Sequence, residues 1–64
     1  MTTNPKILAA SEAYDAEVAF CKRLAADFVA GNYDGGTMRI LADHLNHAEL
    51  LWDRFARLVN SEAR

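Results

Sequence analysis

Large apolar residues follow the spacing of an amphipathic helix between Met38 and Val59. They recur every three or four residues, which places them on one face of a helix. These residues are Leu41, Leu45, Ala48, Leu51, Trp52, Phe55, Leu58 and Val59. At roughly 100° per residue they cover about 160° of the helix circumference. We expect this arc to be wider than packing against a single neighbouring helix requires.

A second helix is predicted from Pro5 to Ala30, because this stretch has no glycine, no further proline and many alanines. Thr3 or Asn4 can cap its start, and Gly31 can end it in the left-handed conformation. Its apolar face, about 180° wide, is formed by Ile7, Ala10, Tyr14, Val18, Cys21, Leu24, Ala25, Phe28 and Val29.

The glycine-rich and asparagine-containing stretch 31–36 predicts a turn, since these residues tolerate positive φ. The chain then forms one domain over residues 1–64, with a helix at 5–30, the turn at 31–36 and a helix at 37–60. Asp34 or Thr37 can cap this last helix. Two helices of similar length joined by a short turn form an antiparallel hairpin, so the predicted fold class is all-α.

A two-helix hairpin buries only the seam between its helices, whereas each predicted helix is apolar over about half of its circumference. A chain this short buries only about 60% of its unfolded surface, and its single cysteine excludes an internal disulfide. Pairing of two hairpins into a homodimeric four-helix bundle would cover the surplus apolar surface. The predicted core and interface consist of Ile7, Tyr14, Val18, Cys21, Leu24, Phe28, Leu41, His44, Leu45, Ala48, Leu51, Trp52, Phe55, Leu58 and Val59.

Charge and hydropathy argue against several classes of protein. The formal net charge of −2 is not that of a nucleic-acid or membrane-surface binder with a basic stripe. No apolar run reaches the ~20 residues of a membrane span, and the N-terminal residues lack the pattern of a secretory signal. We expect a cytoplasmic protein, and the frequent alanine, arginine and aspartate suggest a bacterial or phage genome of high GC content.

Two polar residues interrupt the apolar faces, His44 on the second helix and Glu17 on the first. Together with His47, His44 suggests a metal site, since histidine and carboxylate side chains bind zinc or iron in helical bundles. The paired Glu-x-x-His motifs of di-iron bundles are absent, so we expect no metal and a neutral, hydrogen-bonded His44 in the core or interface. We expect Glu17 at the edge of the seam, bonded to Arg54 or to water.

Nothing in the chain places a nucleophile, acid or base beside a convergent polar group, so we expect neither enzymatic activity nor a cofactor. Cys21 is expected to be a small core residue of low reactivity. Leu50 lies near the centre of the polar face of the second helix, and Leu8 lies off the main face of the first. These two leucines are the candidate residues for binding a partner protein.

A short run in the second helix resembles the second helix of the Rop family of plasmid copy-number regulators. The run is His47-Ala48-Glu49 followed by Leu51 and Trp52, similar to a His-Ala-acid-x-Leu-aromatic run in that family. The resemblance implies a helical hairpin that dimerises into an antiparallel four-helix bundle.

Rop-type proteins bind paired RNA loops through a polar and basic face of the first helix, and this activity is not carried over. The corresponding face here carries Glu12, Asp15 and Asp27 beside Lys22 and Arg23. We expect a small non-enzymatic dimeric protein that acts by binding itself and another protein. Two alternatives remain open, an RNA- or DNA-binding regulatory hairpin dimer and a small metal-binding bundle that uses His44 and His47.

Overall fold

The computed structural model describes residues 4–63. Two α-helices, α1 (Pro5–Val29) and α2 (Gly35–Glu62), pack against each other as a hairpin. The side-chain amide of Asn4 donates a hydrogen bond to Oε1 of Glu62 at 2.5 Å, so the start of α1 lies beside the end of α2. The prediction of an all-α, two-helix fold is confirmed.

The first turn of α1 is capped by Asn4, whose Oδ1 accepts from the backbone N–H groups of Lys6 at 2.9 Å and Ile7 at 3.4 Å. These donors have no partner inside the helix, which is why an asparagine at this position stabilises a helix start. Pro5 occupies the first helical position, where its missing N–H breaks no hydrogen bond. Thr3, the alternative cap, lies outside the described residues.

Helix α1 ends in a Schellman arrangement, one residue before the predicted Ala30. The backbone N–H of Gly31 donates to the carbonyl of Phe28 at 3.0 Å, and that of Asn32 donates to the carbonyl of Asp27 at 2.8 Å. Gly31 has φ of +80°, the left-handed conformation that this motif requires. The ring of Tyr33 stacks on that of Phe28 at 4.2 Å, which covers the last turn of the helix.

Helix α2 is longer at both ends than the predicted range 37–60. Asp34 is its N-cap, because Oδ1 accepts from the backbone N–H of Thr37 at 2.8 Å and from its hydroxyl at 3.1 Å. The helix therefore starts at Gly35, and the predicted turn at 31–36 is shorter than expected. No glycine or proline follows Asn60, so the helix continues to Glu62.

The hairpin is a single layer of two helices, with dimensions of 46 × 18 × 13 Å. Its radius of gyration is 14.8 Å, whereas a globular domain of this length has about 11 Å. The residues buried between the helices are small ones, Ala10, Cys21 and Ala48. Within residues 4–63 no large side chain is completely buried, so the hairpin has a narrow seam rather than a core.

The predicted core and interface residues differ in how far the single hairpin covers them. Cys21 and Ala48 are buried, whereas Leu45 and Trp52 are each 50% exposed and Val59 is 39% exposed. The others are half-buried: Ile7, Tyr14, Val18, Leu24, Phe28, Leu41, His44, Leu51, Phe55 and Leu58. In the described part of the chain, neither helix combines the length and the apolar content needed to cross a membrane.

Candidate functional site

An open groove, called here the first groove, runs along one side of the seam with a volume of about 710 Å³. Its lining is Tyr14, Val18, Cys21, Lys22, Ala25, Leu41, Leu45, Ala48, Glu49, Trp52 and Asp53. The rings of Tyr14 and Trp52 lie 5.2 Å apart and tilted by 51°, which joins the two helices across it. The ring of Trp52 also lies 5.6 Å from that of Phe55, which does not itself line the groove.

The charged residues of the first groove have opposite signs on its two walls. Lys22 lies on the α1 wall, and Glu49 and Asp53 lie on the α2 wall. All three are exposed, at the rim of an otherwise apolar surface. Such a surface combines an apolar centre with a charged edge, as protein–protein interfaces do.

A second groove of about 560 Å³ lies on the other side of the seam. Ala13 and Leu51 line this groove, whereas their chain neighbours Tyr14 and Trp52 line the first. Because successive helical residues differ by about 100° around the axis, the two grooves flank the seam on opposite sides. The second groove is lined by Pro5, Lys6, Ala9, Ala10, Ala13, Leu51, Arg54 and Leu58.

A polar cluster joins the helices near the middle of their length. The carboxylate of Glu17 on α1 contacts Nδ1 of His44 through Oε1, and Nδ1 of His47 through Oε2 at 3.3 Å. Glu17 is the least exposed of the three, with 13% of its side chain accessible against 36% for His44 and 56% for His47. An ionised carboxylate only accepts hydrogen bonds, so Nδ1 of His44 is the donor in its hydrogen bond to Glu17.

The pKa of Glu17 lies below its ordinary value, mainly because its carboxylate accepts a hydrogen bond from His44. Desolvation by burial acts in the opposite direction. The second bond, from His47, lowers the pKa as well. Phe20 packs against the His44 ring at 4.4 Å, and the Arg23 guanidinium lies 5.8 Å from the centre of the Phe20 ring. The lowered pKa keeps the carboxylate of Glu17 ionised at neutral pH.

Two expectations about this cluster are corrected by the structure. Glu17 pairs with the two histidines rather than with Arg54, which lines the second groove. His44 is hydrogen-bonded as expected, but to a carboxylate and with a partly exposed ring, rather than among apolar side chains. His44 and His47 lie one turn apart on α2 and both reach Glu17 across the seam, whereas Arg54 lies further along the helix.

Over residues 4–63, no group of three or more histidine, cysteine or acidic side chains is placed to hold a metal ion. Cys21 is buried against the seam, and desolvation, followed by the charge of Glu17, raises the pKa of its thiol. A raised pKa keeps the thiol protonated and a poor nucleophile.

The two leucines predicted to bind a partner are exposed, Leu8 at 47% and Leu50 at 66%. They line neither of the two grooves. Among the large apolar residues that are exposed within residues 4–63, Leu45 and Trp52 line the first groove and the others line neither. The apolar pattern of the sequence did not separate the two grooves.

No known protein family, curated protein sequence or solved structure matches the chain. The resemblance of residues 47–52 to Rop-type proteins therefore stays a prediction. The class that the described geometry defines is an all-α hairpin with two open grooves.

Proposed function

We propose that this is a small, non-enzymatic interaction or regulatory protein that dimerises through its first groove and acts by binding another protein. The observation that carries the proposal is the first groove itself, an apolar surface with half-exposed Leu45 and Trp52 at its centre. A second copy of the hairpin on this surface would form a four-helix bundle. A cytoplasmic location is part of the proposal, supported by the free thiol of Cys21.

The accessible area supports an occupant of the size of a second hairpin. The chain exposes 5140 Å², whereas a folded monomer of its 7.1 kDa mass exposes about 4,100 Å². The surplus, on the order of 1,000 Å², is close to the ~800 Å² that each partner contributes to a stable interface. Covering one long face of the single layer would remove this surplus.

The charges at the rim support a second copy in particular. In a two-fold dimer with α1 of one hairpin along α2 of the other, Lys22 faces the acidic wall that carries Glu49 and Asp53. The same contact is repeated by symmetry at the other edge. Opposite charges on the two walls therefore make the groove complementary to itself.

The polar groups support a binding role better than a catalytic one. Glu17, His44 and His47 bond to one another and lie outside the lining of both grooves. The thiol of Cys21 is buried and has a raised pKa. Catalysis would need an acid, base or nucleophile that converges on a cavity.

A matched pair of substitutions tests the proposed dimer. Leu45→Glu puts a charge into the first groove, whereas Leu50→Glu puts the same charge on an exposed leucine outside both grooves. By light scattering after size-exclusion chromatography, we expect a dimer for the native chain and for Leu50→Glu, and a monomer for Leu45→Glu. Equal masses for the two variants would contradict pairing through the first groove.

A further inference from the structure

The second groove differs from the first in the charge of its walls. Its charged lining residues are Lys6 on the α1 wall and Arg54 on the α2 wall, so both walls are cationic. The ion pairs found within residues 4–63 are those between Glu17 and the two histidines. Lys6 and Arg54 therefore have no carboxylate partner in the described part of the hairpin.

This charge pattern opposes a symmetric second copy as the occupant of the second groove. A two-fold axis would place each wall against the same wall or the other wall of the partner, and both carry a cation. Juxtaposed like charges oppose such a contact. The charges of the second groove instead complement a segment with negative charge along both of its edges.

The shape of the second groove indicates the apolar part of that segment. Its apolar lining includes three alanines of α1, Ala9, Ala10 and Ala13, and two larger side chains of α2, Leu51 and Leu58. The lining covers residues 5–13 of α1, a length of about 12 Å or roughly two helical turns. This length suits two large apolar side chains spaced one turn apart on a helix, a common mode of peptide recognition.

The lining also argues against a nucleic acid as the occupant. Single-stranded nucleic acids bind to grooves that combine cations with aromatic rings on which the bases stack. Among the described residues, none that lines the second groove is aromatic, and apart from Lys6 and Arg54 its lining side chains are aliphatic. Carboxylates beside an apolar stripe match it better than a phosphate backbone.

We infer that the second groove binds an amphipathic helical segment of a partner protein, with acidic residues on both sides of its apolar stripe. The inference rests on the proposed function in that it names the chemistry of the bound protein. The second groove lies opposite the proposed dimer surface, so a dimer would display two such grooves, one on each outer face.

Two synthetic peptides test the inference on the full-length chain by fluorescence anisotropy. One is helical with leucines one turn apart and glutamates on both flanks, and the other has lysines in place of the glutamates. We expect the glutamate peptide to bind at least roughly tenfold more tightly, with an affinity that falls as salt is added. Equal affinities for the two peptides would overturn the inference.

Substitutions localise the binding. Arg54→Glu and Lys6→Glu should each weaken binding of the glutamate peptide by roughly tenfold, because each replaces an attraction at the groove by a repulsion. Arg57→Glu is the matched control on α2, since Arg57 is exposed and lines neither groove. Circular dichroism verifies that the variants remain helical. A loss of binding in Arg57→Glu equal to that in Arg54→Glu would place the peptide elsewhere.

Measuring the mass of the native chain alongside peptide binding distinguishes a failure of this inference from a failure of the proposed dimer. A monomeric native chain that binds the glutamate peptide through Arg54 would refute the dimer and support the second groove. A dimer that binds neither peptide would support the dimer and refute the second groove. An RNA hairpin that displaces the glutamate peptide in an Arg54-dependent manner would also overturn the inference.

Discussion

Glu17 on α1 and His44 on α2 are hydrogen-bonded across the seam, carboxylate to Nδ1. Each of them is a polar interruption of an otherwise apolar helix face, and each supplies the partner that the other needs. A partly buried carboxylate without a hydrogen bond would destabilise the folded state. The pair therefore links the two helices near their middle and favours one register of α1 against α2.

The Glu17–His44 pair predicts a loss of stability in acid. The folded pKa of Glu17 lies below its ordinary value of 4.5, so the bond contributes stability above pH 4.5. That contribution is lost as the pH falls from 4.5 through the lower folded pKa, because the unfolded chain then binds the proton more readily. Urea denaturation at a series of pH values should show the native chain losing its advantage over Glu17→Gln across this range.

Glu17→Gln is a suitable reference because it keeps the size of the side chain and a carbonyl oxygen that accepts from His44. Asp34 also has a lowered pKa, owing first to the hydrogen bond from the backbone of Thr37, but it is present in both proteins and cancels in the comparison. A stability difference that stays constant with pH, or grows in acid, would show that Glu17 is not held ionised by the histidines.

The turn predicts opposite effects for two glycine substitutions. Gly31 has φ of +80°, so Gly31→Ala should destabilise the protein by about 1 kcal/mol because L residues are strained there. Gly35 is the first residue of α2 and its φ is not positive, and a methyl group added there would meet no atom within 4 Å. Gly35→Ala should therefore stabilise the folded protein by about 0.5 kcal/mol. Thermal denaturation of both variants measures the effects. Equal effects would refute the left-handed cap.

The small residues of the seam predict how closely the helices approach. Ala48 is 9% exposed and lies between them, so Ala48→Leu should cost about 1–3 kcal/mol by overpacking. Ala42, an exposed alanine of the same helix, provides the control, and Ala42→Leu should change stability by less than about 0.5 kcal/mol. A larger cost at Ala42 would mean that α2 presents a different face to α1.

Local signals in the sequence were sufficient for the two helices and for part of their ends. The cap and proline at the start of α1 and the glycine at its end are strong local signals, and Asn4 and Gly31 take predicted roles. The start of α2 was harder to predict, because Asp34 and Thr37 are both good caps. The chain uses Asp34 and bonds Thr37 to it, which moves the helix start back to Gly35.

The partner of Glu17 could not be predicted from periodicity alone. The spacing of apolar residues identifies a helix face, but it does not show which polar side chain at the edge of that face reaches across the seam, so the two histidines were not identified in place of Arg54. The division of the apolar surface into two grooves also depends on three-dimensional placement. Periodicity identifies the apolar face of a helix, but it does not show on which side of the seam Leu51 and Trp52 lie.

Sedimentation equilibrium of the native chain over a range of micromolar concentrations tests whether a second copy covers the first groove. We predict twice the chain mass of 7.1 kDa, because a single layer of two helices leaves Leu45 and Trp52 half-exposed. A mass of 7.1 kDa throughout, for a protein that still unfolds cooperatively, would contradict it.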